Sequence, residues 1–324
     1  MAARSQPHSG ALADDVVELR RIAVEELTLV LEEEIAAWRT ELDWDFQPSA
    51  DLVRRFVQMQ ALNGFALVRA SQVVGYSYYV SDNKGLIGDF YVLAAHRTVD
   101  NEHALLESVL NAMWKTPGIR RIEAQLMMLG SPLDQPVPQE NFLQRYPRCF
   151  LEAPLSGVTK LLARDPLNVS IAPWSEARQE ETARLIGNSY AGHVDGLIND
   201  QYRSAGGARR FLMNIVQYPG CGTFFGPASF AATDPRDRTL CGVSLASLVA
   251  KDVGHITQVC VSPSHRGSGL GYELVRRSLV GLAAQGCRSV SLTVTASNQT
   301  AIHLYQRMGF INRRNFAAYV WERR

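Results

Sequence analysis

The stretch Val259-Cys-Val-Ser-Pro-Ser-His-Arg-Gly-Ser-Gly-Leu-Gly-Tyr-Glu-Leu274 decides the fold. An apolar, β-branched run enters Pro263, a glycine-rich turn follows, and a helical pattern leaves it. Gly267, Gly269 and Gly271 carry no Cβ, so a ligand can lie against their backbone. The first turn of the helix offers unpaired N–H groups and the positive end of its dipole to a phosphate, and Arg266 adds a cation. A Walker loop needs Gly-Lys-Ser/Thr, which is missing. A dinucleotide-binding fingerprint spaces its last glycine three residues after the second and wants an acid about 20 residues on. Here the last glycine comes two residues on, and no acid stands between Glu273 and Glu322.

Downstream lies Asn298-x-x-Ala301-x-x-Leu304-Tyr305-x-x-x-Gly309-Phe310. Arg266-x-x-Gly269-x-Gly271 after a Val-x-Val-x-Pro strand resembles the pyrophosphate loop of the GNAT superfamily of acyl-CoA-dependent N-acyltransferases, and the downstream stretch resembles that family's second signature. The resemblance covers residues 220–324 well and 168–220 in outline. It implies an α/β fold with a central mixed, mostly antiparallel sheet flanked by helices. It also implies acetyl-CoA as co-substrate, no metal, and direct transfer of the acetyl group to a primary amine in a ternary complex.

Further roles follow from the resemblance. Free backbone groups of Val259, Cys260 and Val261 receive the pantetheine arm. Arg266, Gly267, Ser268, Gly269, Leu270 and Gly271 hold the pyrophosphate. Asn298 bonds the pantetheine arm or fixes its loop, with a helix N-cap as the plainer role. Tyr305 stands where the family often carries its general acid; a core tyrosine is the alternative. His255 takes the place where some members carry a glutamate base, and its ordinary pKa near 6.5 suits proton removal; a polar residue opening a strand is the alternative. Gln258 cannot act as a base but can orient an acceptor. Cys260, inside a strand, reads as packing before nucleophile. The acceptor is expected at Tyr190-Ala-Gly-His193-Val-Asp195-Gly-Leu-Ile-Asn199-Asp200-Gln-Tyr202. There Asp195 and Asp200 attract an ammonium group and Tyr202 lines a wall; a solvated loop is the alternative.

Composition agrees with a folded chain of about two domains: 324 residues, 46% hydrophobic, 20% charged, net charge +1. The balance is uneven. From His255 onward nine arginines face only Glu273 and Glu322, a net +7, which leaves −6 for the rest. That segment suits an anionic ligand or a solvated basic face, while near-neutral total charge speaks against a general nucleic-acid binder. No apolar run of about 18 residues is present, so no membrane partner is expected. The start lacks an apolar signal segment, and five cysteines without CxxC spacing argue against a zinc site or a disulfide scaffold. A cytoplasmic location is expected, with a small-molecule or protein amine as partner and a homodimer among the assemblies allowed.

The two halves superpose at an offset of 169 residues: Ile87 falls on Ile256, Val92 on Val261, His96 on His265 and Arg97 on Arg266. Two copies of one α/β unit are predicted, a degenerate one over 16–150, a linker over 151–168 and a catalytic one over 169–324. In the first copy Thr98, Val99, Asp100 and Glu102 replace Gly267, Ser268, Gly269 and Gly271. Side chains and new carboxylates there exclude a pyrophosphate. Leu143-Gln144-Arg145 is laid on Tyr305-Gln306-Arg307, with leucine for tyrosine. A helix is expected over Val16–Leu31 and a strand over Thr223–Ala232, after a loose tail over 1–15. Two further classes stay open: a catalytically silent acyl-CoA sensor or scaffold, and a transferase for a longer acyl group.

Overall fold

The computed structural model describes residues 15–165, 169–218, 220 and 222–323. The expected tail over 1–15 falls outside them except for Asp15, as does the 166–168 end of the expected linker. The chain forms two compact units: one takes residues up to Ala36, Ala50–Gln144 and those from Val320, and the other takes Ala37–Ser49 and Arg145–Tyr319.

In chain order the elements are β1 (Asp15–Glu18), α1 (Thr28–Leu42), α2 (Gln47–Gln58), β2 (Gly64–Arg69), β3 (Gln72–Ser81), β4 (Gly85–Val92), α3 (Val99–Lys115), β5 (Arg121–Gln125) and β6 (Leu143–Pro154). There follow β7 (Ser170–Pro173), α4 (Gln179–Ser189), α5 (Asp195–Ile198), α6 (Ala205–Gln217), β8 (Thr223–Phe224), β9 (Phe230–Thr233), β10 (Leu240–Ala250), β11 (Val253–Val261), α7 (Leu270–Ala284), β12 (Ser289–Thr295), α8 (Gln299–Arg307) and β13 (Ile311–Glu322).

In the first unit β1 to β4 pair antiparallel in sequence order, and β4 then pairs β5 in parallel across the α3 crossover. The apolar stripe of α3 (Leu105, Leu106, Val109, Leu110 and Met113) is fully buried. The helix expected over Val16–Leu31 is corrected. Val16 and Val17 pair with Leu67 and Ala66 in a strand, and the helix begins at Thr28. Pairing of β-branched residues outweighs the helical spacing there. The overlay of Leu143-Gln144-Arg145 on Tyr305 is also corrected, since those residues open strand β6 while Tyr305 lies in helix α8.

The second unit repeats the plan. Its sheet runs β6-β12-β11-β10-β9-β7, with β8 on β10. Every pairing is antiparallel except β11 with β12, which flank the α7 crossover. The pleat sends alternate residues to two layers. Val243, Leu245 and Cys260 pack under α4 and α6, while Ala246, Ile256 and Val290 pack under α7 and α8. A Cβ at Gly254 would lie 2.5 Å from Leu282, so that glycine lets α7 approach the sheet. The strand expected over Thr223–Ala232 is broken by a 3-10 turn at Gly226–Ala228, where Pro227 has no N–H for a ladder. Leu151–Pro154 belongs to β6 and Leu155–Lys160 forms a 3-10 turn.

Candidate active site

β11 and β12 pair only from Val253 with Ser289 to Ile256 with Leu292, and then part. Ser262 N–H donates to the Cys241 carbonyl on β10 at 2.8 Å. By the two-residue period, the backbone groups of Cys260 also face β10, and those of Val259 and Val261 face the cleft. The Cys260 side chain packs among α4 and α6, and burial pushes its thiol up to about 12, so it is a packing residue.

The glycine turn closes one end of this cleft. Gly267 and Gly269 have φ of +78° and +88°, which side chains resist. Gly269 is the N-cap of α7, and no side chain caps that helix. Relative to a Ser or Thr cap, this forgoes roughly a few tenths of a kcal/mol; Ser268 Oγ accepts from Leu270 N–H at 3.4 Å, and the next N–H groups of the first turn are left for an anion. The Ser268 hydroxyl donates to the His265 carbonyl at 2.7 Å, bracing the turn. The Leu270 side chain is buried with Ala232, Cys241 and Leu274, so only its backbone serves the turn. Arg266 donates to the Ser189 carbonyl at 2.7 Å, at the C-terminus of α4. The cation beside Gly269 is instead Arg164, whose Cδ lies 3.5 Å from the Cβ position of that glycine. Nothing in the sequence motif marks Arg164.

On the other wall, Asn298 is the N-cap of α8 and accepts from Ala301 N–H at 3.3 Å. Tyr305 lies in the next turns, packed on Phe310 at 5.7 Å between ring centres. Burial pushes its phenol up to about 12, and the Asp195 carboxylate adds to the rise. The hydroxyl therefore stays protonated.

His255 lies in the closed part of the strand pair, opposite Ser291. It is 4% exposed, with Nδ1 2.9 Å from the Ser291 hydroxyl, Trp44 edge-on at 4.9 Å and Phe150 stacked at 6.5 Å. Burial lowers its pKa to about 3, so the ring stays neutral and packs as an aromatic. This placement weighs against proton abstraction by His255. Gln258 reaches the Tyr190–Tyr202 pair: its amide donates to Tyr190 Oη at 2.9 Å and accepts from Tyr202 Oη at 3.3 Å. Tyr190 in turn donates to the Val259 carbonyl at 3.2 Å and stacks on Tyr202 at 4.6 Å.

Asp195 accepts from the Thr295 hydroxyl and lies 3.6 Å from Arg148 of β6. Arg148 also donates to Thr293 at 3.1 Å. The charge of Asp195 is thus already answered by an arginine, while Asp200 sits in the 3-10 turn Asp200–Arg203. The structure also brings Tyr190, His193 and Arg148 to this place, none of which the sequence singles out. Tyr190 and His193 stood in the quoted loop without a signal to separate them, and Arg148 is brought in only by the β6–β12 pairing. Among the described residues no cluster of three metal-ligating side chains occurs, and no helix is long and apolar enough to cross a membrane.

Known proteins agree with this geometry. A mycothiol acetyltransferase of Saccharopolyspora erythraea is 40% identical over 88 residues, 27% of this chain and 29% of its own. The N-alpha-acetyltransferase MAK3 of Arabidopsis thaliana is 36% identical over 66 residues, 20% of this chain and 35% of its own. The chain thus matches about a third or less of either relative's length. At the level of fold, a GCN5-related N-acetyltransferase from Sphaerobacter thermophilus superposes with TM-score 0.65 at 15% identity, covering 96% of each chain. A tandem GNAT protein from the clavulanic acid biosynthesis pathway does so with TM-score 0.58 at 14% identity, covering 95% of this chain and 98% of its own. The model of the acetyltransferase (GNAT) family matches residues 194–310, and with the parted strands and the uncapped glycine turn this makes that segment a GNAT acetyltransferase domain.

Proposed function

We propose that the chain is an N-acetyltransferase that moves an acetyl group from acetyl-CoA to a primary amine by direct attack, with both substrates held together in the cleft between β11 and β12. The observation that carries this reading is the parting of those strands after Ile256 and Leu292, beside a helix whose first turn no side chain caps. The residues fit the cofactor. The cleft-facing backbone of Val259 and Val261 takes the amides of the pantetheine arm. The first-turn N–H groups of α7, behind Gly267 and Gly269, take the pyrophosphate, and Asn298 fixes the start of α8.

Acetyl-CoA supplies the thioester whose acetyl group is transferred. Tyr305, kept protonated by burial, donates toward the departing sulfur, a role worth about 10²–10⁴-fold for a well-placed acid. The acceptor enters where Tyr190, Tyr202 and Gln258 form one hydrogen-bonded wall. Relatives named for mycothiol and for N-alpha acetylation put both a small molecule and an α-amine among the acceptors to try.

Calorimetric titration of acetyl-CoA into the full chain tests the cofactor assignment, and thiol release across a panel of amines tests turnover. One site per chain with turnover is expected. Tight binding without turnover of any amine would make the chain a sensor, and preference for longer acyl-CoA would change the donor. The absence of binding heat would remove the cofactor from the account.

A further inference from the structure

Amine acetylation needs a group that takes a proton from the acceptor, and neither Gln258 nor buried His255 supplies one. The loop Tyr190–Asp195 runs across the mouth of the cleft and touches both of its walls. Tyr190 reaches the Val259 carbonyl on β11, Asp195 the Thr295 hydroxyl on β12, and His193 the N-cap of α8. The parallel register that pairs Ile256 with Leu292 sets Val259 and Thr295 at the same level, where the cleft has opened. His193 sits in the middle of that span with a side chain 28% exposed.

We propose that His193 is the general base of the reaction, positioned by Asp195 and Asn298; the proposal rests on the acetyltransferase reading above. Asn298 uses its oxygen to cap α8, which turns its amide nitrogen to Nε2 of His193 at 3.5 Å. A donor thus stands at each ring nitrogen, the Asn298 amide at Nε2 and the Asp195 backbone N–H at Nδ1, and the neutral ring has one lone pair to offer them. Two groups of Asp195 address Nδ1, its backbone N–H at 3.2 Å and its carboxylate at 3.6 Å. In the protonated ring both nitrogens donate, and of the two Asp195 groups only the carboxylate can accept from Nδ1. The other groups near the ring set its charge balance. Arg148 holds the far side of the Asp195 carboxylate, Tyr190 packs edge-on at 5.3 Å, and Tyr305 feels Asp195 from α8.

The protons balance without another reactant. One proton of the acceptor's ammonium group goes to the unprotonated ring nitrogen of His193, and the nitrogen lone pair it leaves forms the C–N bond as the C–S bond breaks. The thiolate takes the Tyr305 proton, the second amine proton replaces it, and the imidazolium discharges to solvent.

The test is thiol release from acetyl-CoA by the full chain, with the best amine of the panel, from pH 5 to 9. In the wild type kcat/KM falls on the acid side. His193→Gln loses that limb and about 100-fold or more in kcat, with little change in acetyl-CoA affinity by calorimetry. Added imidazole restores part of the rate to His193→Gly. Asp195→Asn lowers kcat without loss of acetyl-CoA binding, because the group that accepts from the protonated ring is gone. An unchanged acid limb in His193→Gln overturns the proposal. So does a loss of rate that follows loss of acetyl-CoA binding and that imidazole does not rescue. A wild type that releases no thiol with any amine overturns the acetyltransferase reading first, and the base assignment with it.

Discussion

The two units build the same strand–turn–helix–strand unit and end its turn in opposite ways. In the first, Thr98 is the N-cap of α3 and accepts from Asn101 N–H at 3.3 Å. Glu102, in the first turn, is buried and accepts from Gly130 N–H at 2.7 Å and Ser131 N–H at 2.9 Å. The protein itself supplies the oxygens that satisfy this end. In the second, Gly269 caps α7 with no side chain, and the acid of the first turn, Glu273, is turned away. Burial alone would raise its pKa, but hydrogen bonds from Arg276, Arg164 N–H and Arg277 hold it at about 2. The parallel strands part after a few residues in both units. What separates them is whether the helix end is closed by the chain or left for an anion.

Turnover gives the largest contrast. Tyr305→Phe should lower kcat by about 10²–10⁴-fold while acetyl-CoA still binds, making the second unit as silent as the first is expected to be. A rate within threefold of wild type would remove Tyr305 from the proton path. Binding comes next. Gly269→Val forces a β-branched residue to φ +88°, and acetyl-CoA affinity by calorimetry should fall about 10- to 100-fold. The converse graft, Thr98→Gly with Asp100→Gly, should add no second site, because the buried Glu102 remains. A stoichiometry of two would break the comparison.

Acid titration separates the units in the opposite sense. In the first unit, burial pushes Asp89 up to about 6, and Tyr76 Oη lies 2.7 Å from both Asp89 and Glu34. The unfolded aspartate ionises from about 4, so stability there falls as pH rises from about 4 to 6. In the second unit His255 is held to about 3, so its unfolded form gains a proton first, and stability falls as pH drops from about 6.5 towards 3. Each slope is at most about 1.4 kcal/mol per pH unit. Hydrogen exchange of β4 against β11 between pH 4 and 6 should therefore move in opposite directions. Parallel trends would show that neither group controls its unit. The smallest effect is Thr98→Ala, which should cost about 1 kcal/mol in the protection of α3 and leave acetyl-CoA binding untouched.

Much of the second unit was legible because its signals are local. The alternating, β-branched run Ser289–Thr295 forms a strand, and Asn298 caps α8 as its spacing allowed. The glycines of the turn take the positive φ that only glycine adopts without strain. The first unit was less legible. The spacing of Val16–Leu31 suggests a helix where Val16 and Val17 form a strand, nothing local marks α2, and Leu143-Gln144-Arg145, laid on the Tyr305 helix, opens a strand. Short amphipathic stretches carry both periods, and only the partner strand chooses between them.

The sequence by itself determined the order of elements around the glycine turn, the positive φ its glycines allow, and the replacement of those glycines and Ser268 by Thr98, Val99, Asp100 and Glu102 in the first unit. Each follows from one residue's φ, hydroxyl or charge. The tertiary structure alone decided which side chains face the cleft. It buried His255 against Trp44 and Phe150, sent Arg266 to the end of α4, and laid Arg148 of β6 beside Asp195. Burial, strand pairing and desolvation depend on residues far apart in the chain, and no local pattern encodes them.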